Sequence, residues 1–376
     1  MDPLRSVNIA SAERVVVKIG SVLLVDGETG DLHRAWLDAV CDDIATMRKR
    51  GQYVAIVTSG AIAIGRRPLG LAQRSMRLEE KQAAAAAGQM RLSQAYQESL
   101  SRHDLTVAQI LLTIEDTEDR RRFLNARATL DTLLKLGSVP IINENDTVAT
   151  QEIRFGDNDR LAARVAAMIS ADICILLSDV DGLYTSDPTK DTAAERIERV
   201  DKVDENIRRM AGKARPGHGT GGMVTKLHAA EICSDAGCHM AIALGSIPNP
   251  LSALEGGKPC TWFLSSAEPK AARKKWISGT LEPSGTLIID AGALDALNKG
   301  KSLLPAGVAG VEGEFDRGDA VSINNQNGES LGKGLSAFGS DDVRRIIGRH
   351  SSEVEGILGY TGRREIIHRD DLVLNN

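Results

Sequence analysis

Residues 141–169, IINENDTVATQEIRFGDNDRLAARVAAMI, set carboxamides and carboxylates beside two apolar segments of different period. Residues 139–142 are a short apolar run of strand type, and it delivers Asn143, Glu144, Asn145 and Asp146 at its end. After Gly156, the triplet Asp157, Asn158, Asp159 precedes Leu161, Val165, Met168 and Ile169 at helical spacing. A short acid or amide in that place reads as a helix cap, accepting from an orphan backbone N–H of the first turn. One cap uses one side chain, however, and Glu144, Asp146 and Asp159 remain, with Asn143 and Asn145. Carboxylates crowded in this way repel unless an ammonium group, a metal ion or backbone amides neutralise them. The stretch therefore reads as strand, binding loop and helix around a small polar molecule.

Outward from this stretch the same alternation repeats. RVVVKIGS from Arg14 is a β-branched run that ends in Lys18, Gly20 and Ser21, and Trp36, Leu37, Val40, Ile44 and Met47 then recur at helical spacing until Gly51. Residues 53–57 form a second strand run closed by Thr58, Ser59 and Gly60. An alanine-rich helix over 79–100, a strand over 107–112 and an amphipathic helix over 119–136 lead back to the opening stretch. Beyond it, DICILL at 172–177 is a buried strand ending in Ser178 and Asp179, and 239–244 is another. Strands alternating with helices predict an α/β domain whose mostly parallel sheet is flanked by helices, its strands apolar because both faces are covered. Lys18, Ser59, Asn143, Asp146 and Asp179 then fall just beyond strand C-termini, the edge where such sheets bind ligands.

Near 262–276 the texture changes. Residues 265–275 are polar, basic and aperiodic, and after them short strand-like runs at 286–289, 320–323, 330–337 and 366–374 are separated by glycines, with a helix-like piece at 341–347. A small C-terminal β-barrel is expected. The domain division is thus 1–264, a linker over 265–276, and 277–376.

Composition limits the function. A chain of 376 residues with 42% hydrophobic content suits two packed domains, and a net charge of −5 argues against a general polyanion binder. Five cysteines without a CxxC pair point to a reducing compartment. Cys233 and Cys238 with His228 and His239 do not have a zinc spacing, so no metal site is expected. The absence of an apolar leader, and of any run near the ~20 residues of a membrane span, makes a soluble cytoplasmic protein the expectation.

Residues 217–222, GHGTGG, formally match GxGxxG, but a dinucleotide fingerprint needs a strand before it and here IRRMAGKARP precedes. Met223 also stands where a Walker A lysine would be needed. The glycine-rich loop still feeds a helix with Val224, Leu227 and Ile232 inward, and its bare N–H groups together with Lys226 suit a phosphate. Lys18 and Lys226 around one phosphoryl group would stabilise charge on its equatorial oxygens. Asp179 would orient both lysines or meet the metal carried by a nucleotide.

VVVKIGS, VTSGAIA, INENDTVA, FGDNDRLAARVA, LLSDVDGLYTSDP and GTGGMVTK occur in that order, and together they resemble the glutamate 5-kinase family of the amino-acid kinase superfamily. SLLPAGVAGVEGEFDRGDAV and ILGY resemble the PUA domain attached to many of these enzymes. The resemblance implies ATP-dependent phosphorylation of the L-glutamate side chain, opening proline synthesis, with proline as feedback inhibitor and with homo-oligomerisation. It implies that Lys18 and Lys226 stabilise the transferring phosphoryl group. It implies further that Ser59, Asn143, Asp146, Asp157, Asn158 and Asp159 line the glutamate site, and that Ser178, Asp179, Thr220, Gly221, Gly222, Met223, Val224, Thr225 and Lys226 hold ATP. Ser178 stands where threonine is common in relatives, so a hydroxyl is kept. The residues favour a free amino acid independently. Asp146 and Asp157 can neutralise an α-ammonium, whereas an N-acetylated substrate offers none and a nucleoside monophosphate would be repelled. A γ-carboxylate with an ordinary pKa of about 4.3 is already ionised, so no general base is needed, and magnesium should arrive with ATP.

Three other readings compete: a sibling kinase acting on aspartate, acetylglutamate, carbamate or a nucleotide; an RNA-binding protein; and a catalytically silent sensor of proline or glutamate. From residue 277 onward, ten Lys and Arg face fifteen Asp and Glu, so tight RNA binding is not expected.

Overall fold

Arg14–Ile19 (β1) is β-branched over most of its length and buried at every position after Arg14, so neither face of the strand meets water. The computed structural model describes residues 7–71, 75–148, 158–212, 222–280, 282–360 and 362–375. In chain order the first compact unit continues through Ser21–Leu24 (α1), Arg34–Lys49 (α2), Tyr53–Val57 (β2), Ala61–Arg66 (α3), Leu78–Ser101 (α4), Val107–Leu112 (β3), Ile114–Glu118 (α5), Arg120–Lys135 (α6, from Asn125 onward) and Val139–Glu144 (β4). Asn158–Met168 (α7), Ile173–Ser178 (β5), Leu183–Tyr184 (β6), Arg196–Ile197 (β7), Arg199–Val200 (β8), Glu205–Met210 (α8), Met223–Asp235 (α9), His239–Leu244 (β9), Pro250–Glu255 (α10) and Cys260–Phe263 (β10) complete it.

The main sheet runs β3-β4-β2-β1-β5-β9-β10-β8. Its strands are parallel from β3 through β9, and β10 turns against β9. The expected α/β sheet is thus present. Because side chains alternate along a strand, Val15, Val17 and Ile19 join one core face with Leu37, Val40 and Ile44 of α2 and Leu92 and Tyr96 of α4. Val16 and Lys18 take the other face, the one against which α7 packs. That alternation delivers Lys18 to the start of α7.

Helices α3 and α4 come almost into backbone contact. A Cβ on Gly65 would lie 1.8 Å from the Ala84 carbonyl oxygen, and one on Gly88 would lie 1.7 Å from that of Ala61, so at both positions glycine alone fits. The close approach fixes α4, which carries Gln89 and Tyr96, beside the loop after β2.

The second unit comprises Lys270–Asn376 together with Asp119–Leu124. After Pro269–Thr280 (α11), it contains Gly285–Ile289 (β11), Ala291–Asn298 (α12), Val308–Gly313 (β12), Ala320–Asn325 (β13), Ser330–Leu335 (β14), Ser340–Ile346 (α13), Val354–Leu358 (α14) and Leu372–Leu374 (β15). The strands form a sheet of order β12-β11-β13-β14-β15 around Leu287, Ile289, Val321, Ile323 and Phe338. Two details differ from the expected strands. β12 has no long apolar run to announce it. The run expected over 366–374 is strand only at its end, because Ile366 and Ile367 are drawn into the core, Ile367 bridges Leu303, and Arg369–Asp371 makes a 3-10 turn.

Candidate active site

Asn158 and Asp159 stand side by side in the first turn of α7, and each ties a different cluster to that helix start. Asn158 Nδ2 donates to the Thr58 carbonyl at 2.6 Å, to Ser59 Oγ at 2.7 Å and to Asn143 Oδ1 at 2.9 Å. Asn143 Nδ2 in turn donates to Gln89 Oε1 at 2.9 Å. A carbonyl can only accept, so Thr58 fixes which way the Asn158 carboxamide points. With the nitrogen committed, Asn158 Oδ1 is the atom left for a ligand. Ser59, accepting from Asn158, keeps its own hydroxyl proton to donate. Behind them Thr58 Oγ1 shares a 2.9 Å hydrogen bond with the buried Tyr96 hydroxyl, anchoring the post-β2 loop on α4.

Asp159 is fully buried and bridges two cations: Lys18 Nζ lies 2.6 Å from Oδ1 and Lys226 Nζ lies 3.0 Å from Oδ2. Thr225 Oγ1 donates to the same Oδ2 at 3.0 Å. Burial by itself would raise the Asp159 carboxyl, but the two ammonium groups outweigh it and hold the carboxyl well below the usual range. Among the described residues, two lysines thus share the one Asp159 carboxylate. Lys226 also lies in the first turn of α9, whose N-cap Gly222 supplies no side chain to the helix's free N–H groups. Cations and open backbone donors therefore share one place, which suits an anion with several oxygens.

Position by position, Lys18 is the penultimate residue of β1 and Asn143 lies within β4, while Ser59 and Asp146 each sit two residues past a strand end. Asp146 makes no side-chain hydrogen bond or ion pair with a described residue, and burial lifts its carboxyl from the ordinary value to about 6. Ser178 ends β5 and donates to Asp179 at 3.0 Å, so the acid that meets both lysines is Asp159, not Asp179. Met223, Val224 and Thr225 open α9. Asp157, Thr220 and Gly221 lie outside the described residues. Thr58, Gln89 and Tyr96 were not anticipated; a glutamine interrupting the alanine run of α4 at a buried position was the one signal available.

Among the described residues, no group of three or more His, Cys, Asp or Glu side chains gathers that could hold a metal ion, and no helix is long and apolar enough to cross a membrane. All five cysteines are buried and unbridged.

Comparison with known proteins places these features. Residues 13–243 match the amino acid kinase family and residues 285–358 match the PUA domain. The chain is 58% identical over 366 residues to the glutamate 5-kinase of Paramagnetospirillum magneticum, an alignment that covers 97% of this chain and 99% of that one. To the glutamate 5-kinase of Rhodospirillum rubrum it is 57% identical over 361 residues, 96% of either chain. Among solved structures, carbamate kinase from Giardia lamblia bound to AMP-PNP superposes with a TM-score of 0.49 and 18% identity, over 69% of this chain and 100% of that one. The chain belongs to the amino acid kinase family, in its glutamate 5-kinase group, and carries a PUA domain.

Proposed function

We propose that the protein transfers the γ-phosphoryl group of ATP to the side-chain carboxylate of L-glutamate, giving γ-glutamyl phosphate and ADP, the opening step of proline biosynthesis. The observation that carries this reading is the adjacency of Asn158 and Asp159. One residue organises uncharged donors and acceptors around Ser59 and Asn143, the next organises two lysines, and so an acceptor site abuts a phosphoryl site at one helix start.

In this reading a γ-carboxylate oxygen attacks the terminal phosphorus of ATP in line; an O–P bond forms as the bond to the ADP oxygen breaks. No proton moves, because the nucleophile is already ionised at neutral pH. The α-ammonium is met by Asn158 Oδ1 and the Asp146 carboxylate, and Asp157 is assigned to the same group. Ser59 donates to a carboxylate oxygen. Lys18 and Lys226, held at fixed separation by Asp159, stabilise the negative charge on the transferring phosphoryl oxygens, a contribution typically worth a hundredfold or more per donor, on the order of 3 kcal/mol. Asp159 thus becomes a positioning residue, since both of its oxygens are taken by lysines. Ser178, Asp179 and the 220–226 segment are assigned to ATP. Magnesium is assigned to the nucleotide, its ligands being phosphate oxygens and water.

The same reading assigns proline, which shares the ammonium and α-carboxylate of glutamate, as a competitor for Asp146 and Asp157, and it carries over self-association and a cytoplasmic location. The deciding experiment is MgATP turnover with hydroxylamine trapping of acyl phosphate, run with L-glutamate, aspartate, acetylglutamate, carbamate and UMP. Hydroxamate from glutamate alone is the expected result; product from another substrate in its place would reject the assignment.

A further inference from the structure

Behind the residues assigned to glutamate runs a line of donors with one direction. Asn158 donates to Asn143, Asn143 to Gln89, Gln89 Nε2 to Ser93 Oγ at 3.3 Å, and Ser93 Oγ to Gln109 Oε1 at 2.9 Å. Asn158, Asn143 and Gln89 are 6%, 2% and 7% exposed, so the three amides exchange hydrogen bonds where water cannot substitute for a lost partner. One end is fixed by the Thr58 carbonyl. Gln89 fixes the other, because its Oε1 is the acceptor for Asn143 Nδ2, and Gln89 itself sits one residue beyond the glycine that locks α4 onto α3.

We propose that Gln89 is a positioning residue for amino-group recognition: the Thr58 carbonyl holds one side of the Asn158 amide, and Gln89, through Asn143, holds the other, so that Oδ1 stays turned to the substrate and the site accepts an α-ammonium. The proposal rests on the functional reading above. An amide in the opposite sense would offer N–H₂ to an ammonium and repel it. Removing the Gln89 acceptor leaves a buried N–H₂ on Asn143 without a partner, and turning that amide to find one sets donor against donor at Asn158. Gln89 touches no reacting atom, so the effect belongs to binding and not to phosphoryl transfer.

The test uses the full chain and three proteins: wild type, Gln89→Met, which keeps the length of the side chain and removes its polar atoms, and Gln89→Glu, which keeps the acceptor. Steady-state turnover with saturating MgATP is followed for L-glutamate, with glutarate, which lacks the α-amino group, as inhibitor. Gln89→Met should raise KM for glutamate on the order of tenfold with kcat within about twofold, while the glutarate inhibition constant changes much less. Gln89→Glu should keep KM near the wild-type value. The proposal is overturned by a wild-type KM in Gln89→Met, by parallel weakening of glutamate and glutarate, or by Gln89→Glu being as impaired as Gln89→Met. Should Gln89→Met not fold, the Gln89→Glu result alone decides, since a tenfold rise there contradicts the acceptor role. Lack of glutamate turnover by the wild type would instead reject the functional reading, and this proposal with it.

Discussion

Asp146, partly buried, and Asp159, fully buried, are carboxylates at the same sheet edge, and their surroundings drive them in opposite directions. Asp159, between two lysines, stays ionised; Asp146, with burial as its cause of shift, rises to about 6. For folding, a raised carboxyl contributes stability that is present below its unfolded value, about 3.9, and lost as pH climbs through about 6. For binding the sign reverses, because an ammonium is attracted to the ionised form. Glutamate kcat/KM should therefore fall as pH drops through about 6, and Asp146→Asn should abolish that limb while lowering kcat/KM at neutral pH by roughly tenfold to a hundredfold. A pH profile of both proteins checks this, and an acid limb that survives unchanged in Asp146→Asn would remove Asp146 from ammonium recognition. At this scale the polar cluster was legible in residues 141–169, as a crowd of like charges that needed neutralising. Its wiring was not. Lys18 and Lys226 are far from Asp159 along the chain, and nothing local distinguishes an acid that bridges two lysines from one that lines a pocket.

Elements were easier to read where burial imposes composition. β2 and β9 begin and end where β-branched and aliphatic runs do, since a central parallel strand must be apolar on both faces. Legibility failed where a strand is short or a helix lacks an apolar stripe: β8 and β10 extend the sheet edge, and α11 occupies part of a segment whose polar, aperiodic texture suggested a connector. The junction of α3 and α4 was also hidden, because a glycine at a helix crossing looks in sequence like a helix breaker. Gly88→Ala puts a Cβ at 1.7 Å from a backbone oxygen, which no rotamer can relieve, so the two helices must part. The expected cost is about 3 kcal/mol or more, read as a lowered urea midpoint with an unchanged slope. A variant that unfolds with the wild type would mean that α3 and α4 separate freely.

The whole molecule carries two units, each with its own apolar cluster, and a net charge of −5. The PUA match raises the question of RNA, and the charge balance argues against a tight complex. Residues 277–376 hold ten Lys and Arg against fifteen Asp and Glu, so a polyanion meets a surface of its own sign. Several of the cations are further committed to acids nearby: Arg344 with Asp341, Arg345 with Asp342, Arg369 with Asp370, and Arg363 with the buried Asp371 that also takes Arg273. A phosphate would have to break such pairs before gaining the same charge contact, and each exposed pair is worth about 0.2–1 kcal/mol to keep. Counterion release, the main source of nucleic-acid affinity, is expected to be small because acids outnumber cations over these residues by fifteen to ten. The full chain should therefore show no submicromolar binding of tRNA at about 0.15 M salt in a mobility-shift or anisotropy titration. A submicromolar complex whose affinity falls steeply with added salt would require a cationic surface that these pairs do not provide, and would assign the second unit to RNA.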